Sequence, residues 1–280
     1  MNKLDDRKKR RLRIFVLSIL VLILFFGFLV YENQNIGISY YTYHSEKVSD
    51  DLDGYRIMQI SDLHNAKFGT SNEKLLDKMK KAKPDCIVIT GDIVDSSHTD
   101  LNVAIQFVEK SVLICPVYYV TGNHEYWLSE EERQELFCKL EDVGANMLNN
   151  EIASVSVSED SFSFIGLDDN NLTDETLTSL MKECDNNTLS VVLAHEPQYI
   201  GAYSKAGADL VLSGHAHGGQ FILPFVGGVV APGQGIFPEY TKGRYDVKHT
   251  TMYVSRGLGN SIIPIRLFNN PEIVCIDLKK

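Results

Sequence analysis

Seven potential metal ligands in this chain fall into five clusters, and each cluster stands just past the end of an apolar run. Asp62 and His64 lie in S-D-L-H, Asp92 in T-G-D-I-V-D, and Asn123 in T-G-N-H-E, where His124 follows it. His195 comes next in L-A-H-E, then His215 and His217 in S-G-H-A-H-G-G. Short apolar runs bounded by turn residues are buried strands, and strand ends are where an open α/β sheet gathers chemistry. The fold must therefore bring five strand ends to one place. A convergent set of Asp, Asn and His is what a two-metal hydrolytic centre requires. The mixed oxygen and imidazole donors select Mn, Fe, Zn or Co over Ca, and argue against a purely Mg site. His215 and His217 are two apart, so an extended loop lets both reach one centre where a helix would not. Gly214 before them and Gly218-Gly219 after them permit an unusual backbone there.

Residues 14–31 carry no charge. As a helix they span about 27 Å, close to the ~30 Å hydrocarbon core of a bilayer. Residues 1–13 hold seven basic side chains against two acidic ones, a balance of +5 that predicts a cytoplasmic N-terminus. The run ends in Leu29-Val30-Tyr31-Glu32-Asn33, which offers no small-x-small cleavage site. An uncleaved, single-pass anchor in the cell membrane is therefore expected in place of a signal peptide. The chain then divides into a basic cytoplasmic segment (1–13), a transmembrane helix (14–31), a linker with an edge strand in I-G-I-S-Y-Y-T-Y-H (32–54), and an extracytoplasmic domain (55–280). The net charge of −10 leaves −15 for everything past the basic segment, a poor match for nucleic acid. Five scattered cysteines without C-x-x-C give no disulfide framework and no zinc knuckle.

Strand and helix patterns alternate beyond the linker, as in a layered α/β domain. Strands are predicted at 55–61, 86–90, 117–121, 190–194, 210–213, 251–255 and 272–278. Residues 146–167 read as consecutive antiparallel strands. Capping boxes at Thr70-x-x-Glu73 and Ser129-x-x-Glu132 open two helices, the second stopping at Gly144. Asp100 is the expected N-cap of a helix near 101–109, and Pro197 sits in the first turn of another.

The ordered series D-x-H, G-D-x-x-D, G-N-H-E, H and G-H-x-H resembles the calcineurin-like metallophosphoesterases, over roughly residues 55–277. G-H-A-H-G-G-Q-F-I-L-P-F and R-G-L-G-N-S-I-I-P-I-R-L-F-N-N-P-E-I look like the membrane-associated bacterial phosphodiesterases, a subgroup that includes enzymes similar to UDP-diacylglucosamine pyrophosphatases. The resemblance implies a two-sheet sandwich flanked by helices and a hydrolase that cleaves a phosphodiester or pyrophosphate through a metal-bound hydroxide. It implies two divalent ions. Asp62, His64 and His217 would hold the first, Asn123, His195 and His215 the second, and Asp92 would bridge them. His124 would stay off the metals and assist the phosphoryl or leaving oxygen, while Asp95 and Glu125 would orient ligands.

Blander readings stand beside these. Asp95 would equally cap the turn into Ser96-Ser97, His98 is read as a plain loop residue, and His44 and His249 as structural. Arg256 and Arg266 receive no role. Residues 221–240 are read as a strand-rich loop packed on the core; the sharper alternative is an apolar lip facing the bilayer that admits a lipid-linked phosphate. Protein phosphatases of the superfamily carry Asp-Arg-Gly where this chain has Asp95-Ser96-Ser97, which lowers that reading. A phosphomonoesterase, or a non-catalytic binding module stabilised by its metals, remains as the alternative.

Overall fold

The apolar runs form strands buried on both faces, so each sheet needs a layer of protein on either side. In the computed structural model, which describes residues 3–171, 173–261 and 263–280, helix α1 (Lys3–Gln34) leads into β1 (Gly37–His44) and β2 (Arg56–Ile60). Then come α2 (Glu73–Ala82), β3 (Cys86–Thr90), α3 (Leu101–Ser111), β4 (Val117–Val120), the single turn α4 (Asn123–Tyr126), α5 (Glu130–Asp142) and β5 (Asn146–Met147). The second half runs β6 (Glu151–Val157), β7 (Asp160–Gly166), α6 (Asp174–Glu183), β8 (Ser190–Leu193), α7 (Ile200–Ala206) and β9 (Leu210–Ser213). Four two-residue strands follow: β10 (Ile222–Leu223), β11 (Gly227–Gly228), β12 (Val230–Ala231) and β13 (Gly235–Ile236). The chain ends with β14 (Gly243–Val247), β15 (Thr250–Val254) and β16 (Glu272–Lys279).

Two six-stranded sheets result, in the orders β1-β16-β2-β3-β4-β5 and β14-β15-β9-β8-β7-β6. The strands that precede the ligand clusters, β2, β3 and β4 in one sheet and β8 and β9 in the other, are parallel within their sheets. Strand alternation divides the side chains among three cores. Ile57, Cys86, Val88 and Val120 face Phe162, Phe164, Val191 and Leu212 between the sheets. Met58, Ile87 and Ile89 turn outward onto Leu75, Met79, Phe107 and Leu136 of α2, α3 and α5. Ile165, Val192 and Val211 turn outward onto Leu177, Met181 and Tyr203 of α6 and α7. This is the helix-flanked two-sheet sandwich expected.

Three local expectations need correction. The stretch 146–167 is not one antiparallel series: β5 pairs parallel to β4 in the first sheet, and only β6 and β7 form a hairpin, in the second. Ser129 does form its capping box with Glu132, but Thr70 caps nothing. Thr70 begins a tight turn, and the helix starts at Glu73 behind Asn72, whose backbone is left-handed. The Asn72 side chain instead accepts the Phe68 N–H at 2.8 Å. Asp100 occupies the N-cap position of α3 without capping it, and its carboxylate meets Lys67.

The helix α1 contains a span, Arg7–Gln34, long and apolar enough to cross a membrane, with none of its apolar window buried in the fold. Its end is nevertheless tied to the domain. Asn33 donates to the Arg266 carbonyl (3.2 Å) and accepts from the Arg266 N–H (3.0 Å) and the Asn260 amide (3.1 Å). Strand β1 pairs along its whole length with β16 at the sheet edge, and Ile36, Val48 and Leu52 are buried, so residues 36–52 pack as part of the domain.

Replacing Asn72 with Ala leaves a buried N–H unpaired and should cost about 1–3 kcal/mol. Thr70→Ala, at an exposed site, should stay within about 0.5 kcal/mol. Urea unfolding followed by circular dichroism in detergent separates the two; equal effects would restore Thr70 as the cap.

Candidate metal centre

The C-terminal ends of β2, β3, β4, β8 and β9 bring the sequence clusters together in one buried place. Ligand atoms of Asp62, His64 and His217 lie within 4.8 Å of one another, and so do those of Asp92, His195 and His215. Asp92 stands between the groups: its Oδ2 is 3.6 Å from His64 Nε2 and 3.2 Å from His195 Nε2. Within the groups, His64 Nε2 meets His217 Nε2 at 3.1 Å, and His195 Nε2 meets His215 Nδ1 at 3.0 Å. Asn123 opens α4 with its Oδ1 buried and without a hydrogen-bond partner.

The backbone is strained to achieve this. Asp62, His64, Asp92, His215 and His217 all have φ between 45° and 64°. Left-handed backbone costs a non-glycine residue roughly 1–2 kcal/mol, and such strain concentrates at functional sites. The loop of His215 and His217 is thus not the extended one expected; it turns sharply, and the two imidazoles go to different groups. Gly214 serves by size. A Cβ there would sit 1.8 Å from Ser61 Oγ and 2.5 Å from Asp62 Oδ2.

Hydrogen bonds fix which atoms face the centre. His195 Nδ1 is 2.8 Å from the Thr90 carbonyl; donating there leaves Nε2 as a bare lone pair toward Asp92. Glu125 is fully buried and accepts from the N–H groups of Asp92 (2.9 Å), Ile93 (2.8 Å) and Gly122 (2.7 Å), which locks the β3 and β4 loops together. Asp95 accepts from Ser97 N (2.7 Å) and so caps its own turn. That turn presents Ser96, whose N–H donates to His124 Nδ1 at 3.1 Å. His124 then carries its proton on Nε2, which lies 3.2 Å from Ser261 Oγ. The half-exposed Trp127 ring covers His124 at 4.7 Å.

Electrostatics drives His64, His215 and His217 toward bare donors. Burial pushes His64 down to about 4 and His215 to about 3, and neighbouring imidazoles add to it. Burial, then His64 and Arg266, depress His217 well below the usual histidine range. Burial, opposed by His195 and reinforced by Asp92, raises Asp62 to about 6. Asp92 resists burial because His195 and His64 hold it below the carboxylate range, and Asp92 in turn, against burial, holds His195 well above the usual histidine range. Burial, then Asp92, lifts Glu125 to about 7. Three bare imidazoles, a central carboxylate charge-paired with His195, and buried Asp62 Oδ2, His64 Nδ1 and Asn123 Oδ1 atoms without partners are a costly set by themselves. Divalent cations relieve that cost. Two ligands at right angles on a cation ~2.1 Å away lie about 3 Å apart, which the His64–His217 and His195–His215 contacts match. The residues fit a pair of cations.

Some site residues escaped the sequence. Arg266 is fully buried, bonded to Asn260 Oδ1 (3.1 Å) and the Arg256 (2.8 Å) and Gly259 carbonyls, with Nη2 3.4 Å from His217 Nδ1. Burial lowers its guanidinium to about 10. Ser261 and Trp127 were missed too, since neither carries a spacing signal. Arg256 pairs with Glu272 at 3.1 Å, and His44, His98 and His249 are exposed. Beside His217 opens a cavity of about 280 Å³ lined by Gln220, Val230, Ala231, Pro232, Ser261 and Ile263.

The calcineurin-like phosphoesterase family matches residues 55–219. The uncharacterized metallophosphoesterase YkoQ of Bacillus subtilis is 30% identical over 263 residues, covering 92% of this chain and 97% of that protein. YkuE of the same organism, also an uncharacterized metallophosphoesterase, is 30% identical over 89% of this chain and 87% of its own length. A transmembrane protein with metallophosphoesterase domain from Danio rerio is 29% identical over 84% of this chain and 55% of that protein. Ordered ligand motifs, the sandwich that gathers them, and these likenesses agree: the chain belongs to the calcineurin-like metallophosphoesterases.

Proposed function

We propose that this protein is a membrane-anchored, dinuclear-metal phosphoesterase that cleaves a phosphodiester or pyrophosphate bond on the outer side of the cell membrane. The observation that carries it is Asp92, one carboxylate held between two groups of buried imidazoles. Asp62, His64 and His217 serve one cation, Asn123, His195 and His215 the other, and Asp92 is shared. When bound, such a pair of divalent ions activates water at neutral pH and neutralises charge on the phosphoryl oxygens.

The chain's own groups do the rest. Ser96 holds His124 so that Nε2–H points out of the pocket wall, where it can stabilise a phosphoryl oxygen or protonate the departing one. Glu125 keeps Asp92 in its left-handed backbone, and Thr90 keeps His195 in the right tautomer. The apolar cavity beside His217 supports a substrate with an apolar part, such as the lipid-linked phosphates of the UDP-diacylglucosamine pyrophosphatase-like subgroup. Helix α1 and the name of the Danio rerio relative support an anchor; the basic residues before the apolar span support a cytoplasmic N-terminus with the domain outside.

The test uses the full chain purified in detergent, with metal content measured beside turnover of a bis-aryl phosphodiester and a lipid pyrophosphate. Chelation should abolish turnover and Mn should restore it. Asp92→Asn should lose metal and activity together. His124→Ala should retain its metal while kcat falls by about 10²–10⁴. Metal-loaded wild-type protein that turned over no phosphate ester or anhydride would leave a metal-stabilised binding module as the better reading.

A further inference from the structure

The segment between the last two ligands and β14 does not pack wholly onto the core. Ala231 is buried, but Phe225 is fully exposed, and Leu223, Val226, Ile236 and Phe237 are 40–73% exposed. No charged side chain occurs from Phe221 to Pro238. An apolar surface of this kind, without charge, is uncommon on a domain that faces only water.

Its place relative to α1 identifies what covers it. Phe221 bridges to Leu267, and the Ile222 N–H donates to the Leu267 carbonyl at 3.0 Å, so the β10–β11 hairpin is joined to the segment that ends in exposed Phe268. The Phe268 ring lies 5.7 Å from that of Phe28 in α1. On the other side, Val229 donates to Phe221 O (3.0 Å) and accepts from Phe237 N (2.9 Å), which attaches the β12–β13 hairpin. Phe28 lies inside the uncharged run, three residues or about 4.5 Å before its end at Tyr31. Whatever touches Phe28 is therefore level with the boundary of the hydrocarbon that surrounds α1.

We propose that the two hairpin tips and Phe268 form a lip seated in the outer leaflet of the same bilayer that α1 crosses, so that the protein is held by a span and by a monotopic contact beside it. The proposal rests on the reading of α1 as a membrane anchor, and it is independent of the hydrolytic chemistry. The occupant is the lipid surface: the lip continues the apolar side of α1 through Phe28 and Phe268 and presents aromatic rings at interfacial depth.

Tryptophan fluorescence of the full chain in phosphatidylethanolamine–phosphatidylglycerol vesicles, with and without dibrominated acyl chains, tests this. In a Trp127→Phe background, single tryptophans are placed by Phe225→Trp in the lip, Phe25→Trp in α1 and Leu113→Trp on an exposed turn away from the lip. Burial of roughly 5–10 Å predicts that Phe225→Trp shifts to the blue and loses about half its emission to the bromines, as Phe25→Trp does, while Leu113→Trp does neither. Quenching of Phe25→Trp without quenching of Phe225→Trp overturns the lip and leaves the anchor. A blue-shifted but unquenched Phe225→Trp assigns the patch to a protein contact instead. No quenching at either position overturns the anchor and the lip together.

Discussion

Five left-handed residues at strand ends are the constraint on which this site depends. Asp62, His64, Asp92, His215 and His217 would each relax if their loops were free. They stay because neighbouring loops hold one another. Leu258 N–H donates to the Ser61 carbonyl at 3.0 Å and Gly259 N–H to the Asp62 carbonyl at 2.6 Å. Asp62 Oδ1 accepts from His215 N at 2.9 Å, and Asp92 Oδ1 accepts from His124 N at 2.8 Å. The candidate ligands are thus also braces, and the two sheets meet through them at the end where the parallel strands stop. A packed sandwich supplies the rigidity that lets this strain persist.

Glu125 illustrates how the arrangement was partly legible. The family resemblance implied that it orients ligands, and its carboxylate gathers three N–H groups around Asp92. The ligand clusters were readable for another reason: strand-end positions are set by the short apolar runs before them, and those runs are unmistakable when both faces are buried. Local competition was less readable. Thr70 and Glu73 have the spacing of a capping box, yet Asn72, next to the helix start, takes the capping region into a left-handed turn. For β5, two residues carry too little pattern to choose between a hairpin and a parallel neighbour, and tertiary packing decided it.

Apart from Trp127, which follows α4, the residues that no pattern announced share a location. Ser261, Arg266 and Asn269 all come from the segment between β15 and β16, and each reaches the site through a long-range contact: on His124 Nε2, beside His217 Nδ1, and on the His217 carbonyl. A lone serine or arginine in an irregular loop has no periodicity to betray it, so only the fold can reveal which loop closes over the ligands. Its reach is long in sequence and short in space, from Asp62 near the start of the domain to Asn33 in the helix that precedes it.

That loop also joins α1 to the candidate metal centre. Asn33 bonds to both Asn260 and Arg266, and the fork of Arg266 binds Asn260 and the backbone of Arg256 and Gly259. A buried guanidinium is costly, and it is tolerated here because carbonyls and an amide oxygen satisfy its donors while Asp62 and Glu272 offset part of the burial. The consequence is mechanical. Because the end of α1 is bonded to residues on either side of Ser261, the apolar cavity at His217 keeps a fixed direction relative to the helix axis. A flexible tether alone would let the domain turn freely about the end of α1. Bonds from Asn33 into the wall of the site restrict that freedom, so the residues that line the cavity are braced by the same contacts that fix the domain to its helix.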